Sequence, residues 1–104
     1  MSNYDYVIVG AGSSGSALAG RLAADNKIKI LLLEAGPKDH NPYVKLPIGY
    51  GKLFYDQSVN WKFNTEPEKN LYGKRMYWPR GKVLGGSSSI NAMVFARGSK
   101  NDFD

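Results

Sequence analysis

The sequence predicts an α/β fold, and three observations in its first 36 residues carry that expectation. Tyr4 to Val9 is a short apolar run rich in β-branched residues, the composition of a strand covered on both faces in a parallel sheet. It runs directly into Gly10-Ala11-Gly12-Ser13-Ser14-Gly15, a GxGxxG loop. Beyond the loop, Ala17, Leu18, Ala19, Leu22 and Ala23 recur at spacings of three and four, so Ser14 to Ala24 reads as a helix with one narrow apolar face. Asp25 and Asn26 end it, and Ile28 to Leu33 forms a second buried strand. Residues 1–36 therefore read as one Rossmann-like β-α-β unit.

The residue types in that unit suit a dinucleotide. The three glycines permit a tight turn out of the strand, close approach of a diphosphate to the backbone, and close helix–strand packing. Unpaired amides at the helix start carry roughly half a positive charge toward such a ligand, and Ser13 and Ser14 add hydroxyl donors. Glu34 lies nineteen positions after Gly15, where the fingerprint places an acid for the adenosine ribose hydroxyls. A carboxylate there repels a 2′-phosphate, which favours FAD or NAD over NADP.

Composition narrows the function further. At 104 residues the chain has room for one small domain, and its 42% apolar and 22% charged content is that of a soluble globular protein. No apolar run reaches membrane-spanning length, and the first strand begins too early to leave space for a signal peptide, so a cytoplasmic location is expected. Cysteine is absent, which excludes disulfides and thiolate chemistry, and the single histidine, His40, sits in a Pro/Asn/Asp-rich loop and reads as a surface residue. No metal site can be assembled from this set. The net charge of +5 raises nucleic acid as a partner, but the lysines and arginines are scattered with no run of five like charges and no recognition motif, so none is expected.

After Ala35-Gly36-Pro37 breaks the second strand, residues 37–60 read as a loop with one helical turn near Gly51 to Tyr55. Tyr50, Phe54, Tyr55, Trp61 and Phe63 make this region aromatic, with core packing expected for most of them. Trp61 to Thr65 and Arg75 to Trp78 alternate large and polar side chains, predicting a β-hairpin over residues 61–79 that Pro79 ends. A second glycine-and-serine stretch occupies residues 80–98. In it Gly85 and Gly86 permit a turn, a serine caps a following helix, and Ile90, Met93 and Val94 give that helix an apolar face. It is not a Walker loop, because no Lys-Ser or Lys-Thr follows the second glycine.

These residues carry a family resemblance. Gly81 to Asp104 resembles the first signature of the glucose-methanol-choline (GMC) oxidoreductases, and Val7 to Gly36 is similar to that family's FAD-binding N-terminus. The run NWKFNTEPE, Asn60 to Glu68, resembles the choline-dehydrogenase-like branch. The resemblance implies FAD as cofactor and oxidation of an alcohol to an aldehyde or ketone, with hydride passing to the flavin N5. Carried over by position, it implies that Gly10, Gly12, Ser13, Ser14 and Gly15 hold the diphosphate, while Glu34 and Ala35 hold the adenosine side. By the same carry-over Arg80, Val83, Gly85, Gly86, Asn91, Ala92, Met93 and Val94 line the diphosphate, ribityl and flavin portions, with Trp61 nearby. Some relatives bind flavin covalently through a histidine before the second stretch; Trp78 stands at that position here, so non-covalent FAD is expected.

The family's catalytic histidine and its partner lie near the C-terminus of much longer chains, so no catalytic residue is assigned among these 104 and the substrate domain is absent. The expected architecture is an incomplete domain: two parallel strands and one helix cannot cover both sheet faces, and the open edge is ready to pair with a complementary C-terminal piece. By itself the chain is expected to be inactive. Other readings stay open: a noncatalytic FAD-binding module, an NAD-dependent dehydrogenase that leaves Arg80 to Val94 unexplained, and a lyase of the same family.

Overall fold

A computed structural model describes residues 3–103; Met1, Ser2 and Asp104, the last residue of the signature run, lie outside it. Strands β1 (Tyr6–Val9) and β2 (Ile30–Leu33) pair in parallel, with Tyr6 opposite Ile30 and Val9 opposite Leu33. Helix α1 (Ser13–Leu22) makes the crossover that a parallel pair requires. It stops two residues short of the expected Ala24 because the chain tightens there: the Ala24 amide donates to Arg21 O at 3.3 Å and that of Asp25 to Leu22 O at 3.2 Å. Strand β2 starts two residues later than expected because the Ile28 amide is spent on Asp25 O, 3.0 Å away, in the same turn.

Close helix–strand contact is enforced at Gly15, where a Cβ would stand 1.9 Å from Gly10 O. The apolar faces above that contact are nonetheless open. No residue of α1 is buried, Leu18 is 51% exposed, and in β1 Val9 is 83% exposed while Ile8 alone is buried. The radius of gyration, 17.5 Å, exceeds the roughly 13 Å of a compact chain of this length. Strands composed for burial on both faces thus have polypeptide on only part of them.

The buried core lies in the second half of the chain, where Leu53, Val59, Val83 and Ile90 pack together with Tyr43 and Val44 against them. Where the sequence predicts one helical turn near Gly51 to Tyr55, the chain forms α2 (Pro42–Lys45), a 3-10 turn at Pro47–Gly49, and α3 (Tyr50–Leu53). Asn41 caps α2 by accepting from the Tyr43 amide at 3.0 Å, and Pro42 occupies the first turn, where its missing N–H costs nothing. The Asn41 amide also reaches Asp56 at 3.2 Å. Hydrogen bonds from the Ser58 hydroxyl and amide hold the Asp56 carboxyl below its ordinary pKa.

Strands β3 (Phe63–Asn64) and β4 (Tyr77–Trp78) pair antiparallel and are shorter than the alternation predicts. Lys62, at φ 55°, breaks the first run between Trp61 and Phe63. Isolated bridges, Asn60 with Gly81 and Glu68 with Lys74, extend the pairing at either end.

The helix expected after Gly85-Gly86 does not form. A 3-10 turn covers Gly86–Ser89, and the residues from Asn91 to Gly98 have no regular structure. The competing bonds are visible. Asn91 Oδ1 takes the Met93 amide at 2.8 Å, Met93 sits at φ 54°, and the Ser88 and Ser89 hydroxyls donate back to Gly85 O and Leu84 O rather than capping a helix that follows. Among the described residues no helix is long and apolar enough to cross a membrane.

The Gly15 contact yields a first prediction. Gly15→Ala must lift α1 from the strand exit and is expected to destabilise the protein by roughly 1–3 kcal/mol. Urea unfolding of the longest natural polypeptide that contains this chain measures it, and unchanged stability would contradict the packing described.

Candidate nucleotide-binding site

The site is built around Ala11, which is fully buried between the two glycines. The Gly10 amide bonds Leu33 O at 2.7 Å, carrying the ladder one residue past the strands, and Gly10 at φ 96° then turns the chain. That leaves both backbone groups of Ala11 without a ladder partner. Its N–H donates to Glu34 Oε2 at 2.8 Å; its carbonyl accepts from the Ser16 hydroxyl at 3.0 Å and from the Gly85 amide at 2.8 Å. The other oxygen of Glu34 accepts from the Gly36 amide at 3.0 Å.

The Ala11–Gly85 bond joins the two glycine stretches that the sequence separates by some seventy residues. Gly86, at φ 61°, packs so close to the first stretch that a Cβ on it would lie 2.8 Å from Gly12 Cα. Between them lies an open cleft of about 560 Å³. The first unit lines it with Val9, Gly10, Gly12, Leu33, Glu34 and Ala35, and the later chain with Trp61, Gly81, Gly86 and Ser87. A second cavity of about 210 Å³, formed by Phe54, Pro79, Arg80, Ser87, Ile90, Asn91 and Ala92, shares Ser87 with it.

Local electrostatics suit a diphosphate. Helix α1 has no side-chain cap and no acidic residue in its first turn, and its first bond, Ser16 N to Gly12 O at 2.9 Å, leaves the preceding amides free for a ligand. Glu34 gives one hydrogen bond's worth of each oxygen to the backbone and keeps acceptor capacity for ribose hydroxyls. The indole of Trp61 is fixed by stacking on Phe63, centroids 5.8 Å apart at 6°, and by the Lys82 ammonium 4.8 Å from the ring centroid.

Of the residues singled out in the sequence, Gly10, Gly12, Glu34, Ala35, Trp61 and Gly86 meet in the first cavity, and Arg80, Asn91 and Ala92 in the second. Ser13, Ser14 and Gly15 form the first turn of α1, and Gly85 supplies the amide to Ala11. Three lie apart from both cavities. Val83 is fully buried among Leu53, Val59 and Ile90, so its side chain serves the core. Met93 and Val94, lacking the helix that was to present them, are exposed and line neither cavity. Sequence reasoning passed over Ala11, Asn60, Gly81 and Ser87. The signal for Ala11 was its place inside the loop, and for Asn60 an amide set between the apolar Val59 and Trp61.

Residues 4–104 match the sequence family described as GMC oxidoreductase. The chain belongs to the GMC oxidoreductase family. Among GMC-type relatives it is 53% identical over 100 residues to an alcohol dehydrogenase [acceptor] of Pseudomonas putida, covering 96% of this chain and 18% of that protein. It is 48% identical over 102 residues to an oxygen-dependent choline dehydrogenase of Vibrio vulnificus, covering 98% and 18%. Among solved structures it resembles pyridoxine 4-oxidase from Mesorbium loti, with a TM-score of 0.85 and 40% identity over 97% of this chain and 20% of that one. A formate oxidase gives a TM-score of 0.81 at 34% identity, over 97% and 18%. The chain thus spans about a fifth of the length of the relatives it matches.

Two substitutions probe the site. Glu34→Ala frees the Ala11 and Gly36 amides as well as losing any ribose contact, and is expected to weaken nucleotide binding by roughly 1.5–3 kcal/mol and lower stability as well. Titration of FAD against tryptophan fluorescence, beside thermal melts, measures both, and an unchanged affinity removes Glu34 from the site. Gly86→Ala pushes against Gly12 and is expected to cost about tenfold or more in FAD affinity; wild-type affinity would show that the two loops need not touch.

Proposed function

We propose that this chain is the FAD-binding part of a flavoenzyme that oxidises CH–OH groups of donors to aldehydes or ketones. The observation that carries the reading is the Ala11–Gly85 bond, which places two glycine turns and an uncapped helix end around one cleft. Family membership, relatives described as an alcohol dehydrogenase and a choline dehydrogenase, and a formate oxidase solved to follow the effect of a mutation on FAD modification support FAD as the nucleotide. When bound, FAD supplies a two-electron acceptor whose N5 takes hydride from the alcohol carbon.

The chain's own residues bind and orient. The α1 amides with Ser13 and Ser14 hold the diphosphate, and Glu34 and Ala35 receive the adenosine side. Gly85 and Gly86 let the second turn approach the nucleotide, while Arg80, Asn91 and Ala92 shape the cavity for its far end. The resemblance places the histidine that takes the hydroxyl proton in polypeptide beyond this segment; His40, the only histidine here, lines neither cavity. The same further polypeptide covers the open apolar surface at Val7 of β1 and Leu18 of α1. Trp78, with the Arg80 guanidinium 5.0 Å from its ring centroid, offers no nucleophile for a flavin bond, so the cofactor is held non-covalently.

The longest natural polypeptide containing this chain is expected to purify with a flavin spectrum, to release all of its flavin as FAD on acid precipitation, and to bleach anaerobically with an alcohol donor. Flavin that stays in the pellet contradicts the non-covalent assignment, and a protein with no affinity for FAD contradicts the function.

A further inference from the structure

Asn60 is the one buried polar side chain in the core of the described residues, at 1% exposure, and it lines neither cavity. A buried amide is retained at a cost unless its bonds are made, and here all four are. Its Nδ2 donates to Phe54 O at 2.8 Å and to the Tyr77 hydroxyl at 3.2 Å; its Oδ1 accepts from the Lys62 amide at 2.9 Å and the Arg80 amide at 3.0 Å.

The partners explain why an amide is needed. Lys62, at φ 55°, leaves the strand path, and the Arg80 amide has no ladder acceptor, so one side-chain oxygen serves two backbone donors from two chain segments. Backbone bonds on either side, Trp61 N to Arg80 O at 2.9 Å and Lys82 N to Val59 O at 2.7 Å, complete a clip between residues 59–62 and 80–82. Trp61 and Gly81 leave this clip into the first cavity and Arg80 into the second. Both cavities therefore take one wall from backbone that Asn60 sets.

We infer that Asn60 is a positioning residue for the flavin end of the cofactor, acting through Trp61, Arg80 and Gly81, an inference that rests on the FAD reading above. The adenosine end is built by α1, Glu34 and Ala35, to which Asn60 makes no bond, although Glu34 and Ala35 share the first cavity with Trp61 and Gly81. Loss of Asn60 therefore falls more heavily on the flavin end than on the adenosine end.

The test compares ADP, which reports the adenosine end, with FAD, which reports both, on the longest natural polypeptide containing this chain. Asn60→Leu, of similar shape but without hydrogen bonds, is expected to weaken FAD about tenfold or more, hold ADP affinity within about twofold, and move the flavin absorbance and dichroism toward those of free FAD. Asn60→Asp keeps the oxygen that serves Lys62 and Arg80 and is expected to recover part of the loss. Tyr77→Phe, which removes only the hydroxyl meeting the amide, carries the same comparison at about threefold where Asn60→Leu yields no folded protein. FAD affinity unchanged in these variants, or FAD and ADP affinities falling together, would overturn the inference. A wild-type protein that binds neither nucleotide would instead overturn the FAD reading.

Discussion

The site depends on one backbone problem: Ala11 is buried where the chain leaves a strand and has not yet entered a helix. A buried amide and carbonyl must each find a partner, and neither the sheet ladder nor the α1 backbone supplies one. Glu34 takes the amide, and Gly85 shares the carbonyl with the Ser16 hydroxyl of α1; Glu34 and Gly85 each come from a distant part of the chain. The answer to a local accounting problem is thus a long-range contact, and that contact closes the cleft. Gly10, at φ 96°, holds a backbone conformation that a side chain would strain, and the turn it makes carries Ala11 out of reach of the ladder, so the loop recruits these partners.

Glu34 therefore has two duties. Its carboxylate organises the loop before any ligand arrives, through Ala11 and Gly36, and its remaining acceptor capacity faces the cleft. Under the proposed function, site formation and ribose recognition share one group. Asn60 has a parallel role on the other wall, where a side chain again satisfies backbone that regular structure abandons. In both places the polar residue stands where the chain changes direction beside the cavity. The energetic reason is the same: an unpaired buried amide costs about 1–3 kcal/mol, and each of these side chains serves two amides against an ordering cost of up to about 2 kcal/mol.

Much of this was legible in the residues. The β-α-β unit could be read because strand, loop, helix and acid are all local patterns; the Gly12–Gly86 approach, which glycine permits but no local pattern announces, could not. What could not be read was decided by competing local bonds. The helix assigned to Ile90, Met93 and Val94 has the right spacing, yet Asn91 captures the Met93 amide and the serines bond backward, which periodicity does not register. Val83 was placed on the ligand by position in a motif, whereas burial assigns its side chain to the core. Asn60 escaped notice because the demand it meets comes from Lys62 and Arg80, two backbone amides whose juxtaposition exists only in the folded chain.

A crystal structure of the complete polypeptide with its nucleotide bound examines the account at its centre. It should show the diphosphate against the amides at the start of α1 and the same molecule continuing past Gly86 and Ser87, with the Ala11–Gly85 bond intact. A nucleotide that touches only one of the two glycine turns, or that parts them by breaking that bond, would contradict it.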